Sequence, residues 1–133
     1  MEELIKNIFS GSGVKAPGVV EQALFSRFGN EVLSVEWSQR EDYFEAVFYY
    51  EQLEHIARFL GTGYLLEYRV NLSPESLPST QKESISTLGE VMNVVEIHRS
   101  SDLLYEVIVR DSDLVRSEVI IDRDGVLVSS SLL

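Results

Sequence analysis

Two halves of this chain carry the same landmarks in the same order. A proline opens a helical stretch that stops at a glycine, in Pro17…Phe28-Gly29 and again in Pro78…Leu88-Gly89. Strand patterns follow in each half, first Val35-Glu36-Trp37 and Val95-Glu96-Ile97, then Phe44-Glu45-Ala46-Val47 and Tyr105-Glu106-Val107-Ile108. Each half closes on a glycine turn, Thr62-Gly63-Tyr64-Leu65 and Asp124-Gly125-Val126-Leu127. The offset holds between 60 and 62 residues, which predicts one duplicated unit and constrains the architecture before any single element does. Repetition of this kind points to a binding scaffold rather than a catalyst.

Hydrophobic period supplies the elements. Leu4, Ile5, Ile8 and Phe9 recur at helical spacing, and Gly11-Ser12-Gly13 breaks the pattern. A helix that short is stable only when docked, on its own sheet or on a neighbouring chain. From Pro17, Val20, Leu24 and Phe28 form one stripe with Ala23 beside it, and Gly29-Asn30 is the stop. The period then becomes two: Leu33, Val35 and Trp37 alternate with Ser34, Glu36 and Ser38. In the second strand Phe44, Ala46, Phe48 and Tyr50 face one way, and Tyr43, Glu45, Val47 and Tyr49 the other. A third strand covers 53–60 and a fourth 64–72, joined by Gly61-Thr62-Gly63.

Ser73-Pro74-Glu75-Ser76 reads as the one clear linker, too short for independent domains. The second helix, 78–88, carries a weaker stripe of Gln81, Ile85 and Leu88, with strands expected at 91–98, 103–110, 114–122 and 126–132. The organisation is an N-terminal segment and linker over 1–14, a first repeat over 15–72 and a second over 73–133, fused into one globular unit. The expected class is α+β: a tandem repeat of a helix plus a four-stranded antiparallel meander. The other face of such a sheet is left to water or a partner.

At 133 residues the chain can bury about two-thirds of its unfolded surface without covalent staples. It has no cysteine, which excludes disulfides and thiolate metal sites. A net charge of −11, with 11 basic residues scattered among 22 acidic ones, argues against a nucleic-acid partner. No run approaches the roughly 20 apolar residues that span a bilayer. Met1-Glu2-Glu3-Leu4 lacks the basic and apolar regions of a secretory signal. A cytoplasmic location is expected if the chain is complete as given.

The landmarks Pro17, Val35-Glu36-Trp37, Tyr43-Phe44-Glu45-Ala46 and Asp122-Arg123-Asp124-Gly125 resemble those of the PepSY-like, beta-lactamase-inhibitor-like family, over about residues 16–133. That resemblance implies tandem α-β4 units forming a curved sheet with the helices on one face. It also implies a non-enzymatic protein, exported to the periplasm if a signal peptide precedes the sequence. One departure is Gly61-Thr62-Gly63, where the family pattern has an acidic turn. The other is the missing export signal.

Aromatic placement is the best functional clue in the sequence. Of 13 aromatic residues, 12 lie between Phe9 and Tyr68. Phe25, Trp37, Phe44, Phe48 and Tyr50 fit the core. Tyr43, Val47 and Tyr49 share the opposite strand face and are the candidate protein-binding residues, since aromatics there bury much area at low entropic cost. Cross-strand packing on a solvated face is the bland reading.

Asp122-x-Asp124-Gly125 lacks the third acidic position and distal glutamate of a calcium loop and reads as a hairpin turn, as does Asp111-Ser112-Asp113. His55 and His98 have neither zinc nor catalytic spacing. His98, Ser100 and Asp102 contain no nucleophile elbow, and Glu45 and Glu106 are matched by duplication rather than by acid–base pairing. No catalytic residue, cofactor or metal is expected. The expected function is a non-catalytic, inhibitor-like protein-binding module using the open sheet face. A self-associating homodimeric module and a small-ligand binder are the alternatives.

Overall fold

The computed structural model describes residues 15–133; the expected helix around Leu4, Ile5, Ile8 and Phe9 and its Gly-Ser break lie outside the described residues. The elements run α1 (Gly18–Phe28), β1 (Leu33–Gln39), β2 (Phe44–Tyr50), β3 (Leu53–Phe59) and β4 (Leu65–Leu72), then a 3₁₀ turn (Pro74–Ser76). They continue with α2 (Ser79–Ile85), β5 (Glu90–Arg99), β6 (Asp102–Arg110), β7 (Arg116–Asp122) and β8 (Leu127–Leu132). The chain divides into two compact units, one ending at Tyr68 and the other covering Arg69–Leu133, so the division falls inside β4.

In the first unit Pro17 precedes α1, and its carbonyl accepts the N–H groups of Val20 and Glu21 at 3.0 Å. Gly29 ends the helix at φ +84° and donates its N–H to the Phe25 carbonyl at 2.8 Å. Val20, Leu24 and Phe28 are the buried stripe of α1. They pack on Ala46 and Phe48 of β2 and on Ala57 and Phe59 of β3. Ala46 pairs directly with Ala57; two small side chains there leave room for the helix. The aromatic excess resolves around Phe28, whose ring lies 5.0 Å from Phe48, 5.4 Å from Tyr68, 6.1 Å from His55 and 6.3 Å from Tyr50. His55 stacks on Phe48 at 5.4 Å and is buried.

Tyr50 pairs with Leu53, so the β2–β3 turn is the two residues Glu51-Gln52, both at positive φ (52° and 67°). This matches a type I′ hairpin and sets the whole β2–β3 register. The first strand differs from its expected alternation. Ser34 sits at φ +55° and the β1–β2 register slips between Leu33 and Glu36. The slip takes Leu33 off the face of Val35 and Trp37 and leaves it 64% exposed opposite Tyr49.

In the second unit α2 stops at Ile85, one turn short of the expected end at Leu88. Ser86 and Thr87 are weak helix formers, and the chain continues as a turn in which the Leu88 N–H reaches the Ile85 carbonyl at 2.9 Å. This delivers Gly89, at φ +145°, against the Arg110 backbone, where a Cβ would meet the Arg110 carbonyl oxygen at 2.4 Å. The expected linker is ordered as the 3₁₀ turn, with the Ser73 and Ser76 hydroxyls hydrogen-bonded at 2.7 Å. The seventh strand starts at Arg116, not Leu114; Leu114 lies in the preceding turn at φ +65°. The core joins Leu77 and Ile85 to Val94, Tyr105, Val107, Val109, Val119 and Ile121.

Gln81 is the polar member of the α2 stripe, 3% exposed. Its Nε2 donates to the Asp122 and Arg123 carbonyls, each at 3.0 Å, and Ser84 Oγ donates to the Gly125 carbonyl at 2.5 Å. Helix α2 thereby clamps the β7–β8 turn. Inside that turn Asp122 Oδ1 accepts the N–H groups of Asp124 and Val126, both at 2.9 Å. Asp111 Oδ1 does the same for Asp113 and Val115 at 2.9 and 3.0 Å. Both Asp-x-Asp stretches are turns whose leading carboxylate is committed to the backbone.

Candidate functional site

Each helix covers one face of its strands, and the alternation along β2 leaves Glu45, Val47 and Tyr49 on the face away from α1. Cross-strand partners share a face. Val47 sits between Glu36 and Ile56, Tyr49 between Leu33 and Glu54, and Glu45 between Ser38 and Arg58. The open face of the first unit therefore has an apolar middle of Leu33, Val47, Tyr49 and Ile56. Val47 and Ile56 are half-buried, while Leu33 and Tyr49 are 64% and 47% exposed. Carboxylates of Glu36, Glu45 and Glu54 stand around it.

Arg58 organises one end of this face. Its Nε donates to Glu45 at 2.9 Å and its Nη1 to Glu67 at 3.2 Å. Its guanidinium carbon lies 5.3 Å from the centre of the Tyr43 ring. Arg40 approaches the same Glu45 at 3.8 Å. Burial works against the charge on Arg58. The hydrogen bond to Glu45, together with Tyr43 and the two carboxylates, outweighs that cost and raises its pKa above the ordinary arginine value. Of the three residues expected to form the surface, Tyr49 and Val47 lie side by side on it. Tyr43 precedes β2 and is half-buried beneath Arg58, so its ring face is already engaged.

Sequence reasoning missed Leu33 and Arg58. Leu33 was hidden by the Ser34 irregularity, which no alternating pattern reveals. Arg58 could have been found: a two-residue turn at Glu51-Gln52 makes paired residue numbers sum to 103, which puts Arg58 opposite Glu45.

The corresponding face of the second unit is also apolar. Ile97 pairs with Leu104, Asn93 with Ile108, and Ile120 with Glu106. Ile97 is buried and Leu104, Ile108 and Ile120 half-buried. Glu106 accepts a hydrogen bond from Arg69 Nη2. On the other face, His98 Nε2 is hydrogen-bonded to Glu96 at 2.6 Å, and the Tyr105 hydroxyl lies 3.5 Å from the same carboxylate. One hydrogen bond of His98 thus runs to Glu96; Ser100 sits in the β5–β6 turn at φ +55° and Asp102 opens β6. Among the described residues, no cluster of three or more His, Asp or Glu side chains is arranged to hold a metal ion. A cavity of about 200 Å³ is lined by residues 101–104 and 122–124. No helix among the described residues is long and apolar enough to cross a membrane.

No family model matches the sequence, and no curated protein matches it. Solved structures do. A DUF2874 family protein from Bacteroides uniformis superposes with a TM-score of 0.79 at 18% identity, over 89% of this chain and 90% of that one. A candidate periplasmic protein from Bacteroides eggerthii gives 0.79 at 15% identity, over 90% of each chain. A BLIP-like protein from Bacteroides fragilis gives 0.78 at 16% identity, over 90% of this chain and 88% of that one. The fold is mainly β and BLIP-like. None of these neighbours is described as PepSY-like.

Proposed function

We propose that this chain is a non-catalytic, inhibitor-like protein-binding module that engages a folded partner through the open face of its strands. The observation that carries the reading is the patch of Leu33, Val47, Tyr49 and Ile56, apolar in the middle and flanked by Glu36 and Glu54, with Glu45 at its edge already paired to Arg58. An exposed aromatic and an exposed leucine side by side are the residue types that anchor protein interfaces. The surrounding carboxylates, on a chain of net charge −11, suit a partner that is apolar in the centre and basic at the rim. The duplication of one α-β4 unit, the PepSY-like part of the sequence resemblance and a periplasmic location belong to this same proposal.

Tyr49 and Leu33 would be the anchors, with Val47 beneath them and Tyr43 acting through Arg58 rather than by direct contact. A partner captured on the immobilised chain is then titrated against wild type, Tyr49→Ser and Val47→Glu. Affinity is expected to fall at least tenfold for both variants, and to fall with rising salt for wild type. Unchanged affinity for both variants, with melting temperatures retained, removes the assignment. Adding the chain to a beta-lactamase hydrolysis assay tests the inhibitor-like part separately. The cavity beside residues 101–104, at about 200 Å³, is smaller than the roughly 300–1,000 Å³ of small-molecule sites.

A further inference from the structure

Among the described residues β8 is an edge strand that carries no charged side chain and no proline. Among those residues it has β7 on one side and no strand on the other. Every residue of β8 is exposed, and none from Val126 to Leu133 is charged. Edge strands are ordinarily protected by charge, proline or irregularity. In the first unit β1 has two such devices, Glu36 and the Ser34 irregularity. In β8 the register slips once, between the partners of Ile120 and Ile121, and is regular from Ser129 to Leu132.

The direction of the free backbone groups follows from one bond. Leu133 donates its N–H to the Arg116 carbonyl at 3.1 Å. Antiparallel ladders alternate, so Ser131 and Ser129 also point their backbone groups at β7. Ser130 and Leu132 point theirs outward. An outward row of alternating donors and acceptors accepts another extended backbone.

The sequence of the strand says which one. Leu127-Val128-Ser129-Ser130-Ser131-Leu132-Leu133 reads nearly the same in both directions about Ser130. In an antiparallel pair of two copies centred there, Leu132 and Leu133 lie across Val128 and Leu127 of the other chain, and serine lies across serine. No carboxylate meets another within the paired strands, despite the charge of −11 on each copy. We infer that β8 is a homodimerisation edge, pairing antiparallel with β8 of a second copy about Ser130. Such a contact is isologous, as closed two-fold dimers require. It buries much less than the roughly 1,600 Å² of a standard interface, so the dimer is weak and concentration-dependent. Repulsion between two acidic chains makes it stronger in high salt, opposite to the binding of a basic partner on the open face.

The test is sedimentation of the full chain across concentration and salt, with Ser130→Pro and Ser130→Lys. Because the Ser130 N–H points away from β7, proline there removes no backbone bond of the monomer among the described residues. The lysine variant keeps the backbone and adds charge to the edge. Wild-type mass is expected to rise from 15.1 kDa toward twice that value as concentration and salt increase. Both variants, with unchanged melting, stay monomeric at least tenfold higher in concentration; if the proline variant does not fold, the lysine variant decides. A wild-type monomer at every concentration overturns the inference. So does a dimer that persists undiminished in the folded variants, which would place the contact elsewhere.

Discussion

Leu114 occupies in the β6–β7 turn the position that Gly125 occupies in the β7–β8 turn. In both, the first aspartate exchanges backbone hydrogen bonds with the fourth and fifth residues: Leu114 N–H to Asp111 O at 3.0 Å, Gly125 N–H to Asp122 O at 3.1 Å. The fourth residue is left-handed in each, at φ +65° and +87°. A leucine there costs about 1–2 kcal/mol, partly offset by the greater unfolded-state entropy of glycine, about 0.5–1 kcal/mol. Leu114→Gly is expected to raise stability by about 0.5 kcal/mol in urea denaturation. A clear loss would mean that Leu114, 70% exposed, makes contacts that matter to the fold.

The reciprocal change is worse than the backbone alone dictates. A Cβ on Gly125 would lie 2.9 Å from both Ser84 Oγ and Thr80 Cγ2, so α2 itself would have to shift. Gly89→Ala is more severe, because its Cβ meets backbone, the Arg110 carbonyl oxygen at 2.4 Å. Strain and overpacking together make about 3 kcal/mol the expected loss. A loss below about 1 kcal/mol would show that the Gly89–Arg110 approach relaxes freely.

Gln81→Leu tests the clamp between α2 and the last hairpin. Leucine fits the apolar surroundings but leaves the Asp122 and Arg123 carbonyls without their shared donor. The expected cost is about 2 kcal/mol, with faster amide exchange at Gly125 and Val126. Unchanged exchange there would mean that the turn holds itself through Asp122 alone.

The alkaline limb of stability carries a contribution from Tyr105. Burial raises its pKa above the ordinary value of 10.0, reinforced by the charge and hydrogen bond of Glu96. A pKa higher in the folded chain means the folded state holds the phenol proton more tightly. This contribution is complete below pH 10 and is lost as pH rises through the raised folded value. Tyr105→Phe lacks it, so the stability difference between wild type and variant should shrink from pH 9 to pH 11. A difference that stays flat over that window would contradict the assignment.

Which parts of this were legible in the sequence follows from what each signal encodes. Pro17, Gly29 and the stripe Val20-Leu24-Phe28 placed α1 because caps and a four-residue spacing are local. The alternation in β2 put Val47 and Tyr49 on one face for the same reason. Failures occurred where tertiary contact decided. Gly89 must reach the Arg110 backbone, so α2 ended early; Ser34 adopts a left-handed conformation, so Leu33 changed face. Arg58 lay between these cases, visible only once the Glu51-Gln52 turn had fixed the register. The aromatic excess of the first half was real, but most of it surrounds Phe28 in the core, and on the open face it is Tyr49 that remains exposed.

The open face is tested most directly by hydroxyl-radical footprinting of the chain with and without its captured partner. Labelling of Tyr49 and Leu33 is predicted to fall severalfold on binding. Leu114 in the β6–β7 turn and Tyr64, beside the Gly63 turn against α1, are predicted to label as in the free chain. Undiminished labelling of Tyr49 and Leu33 under saturating partner would contradict binding through this face.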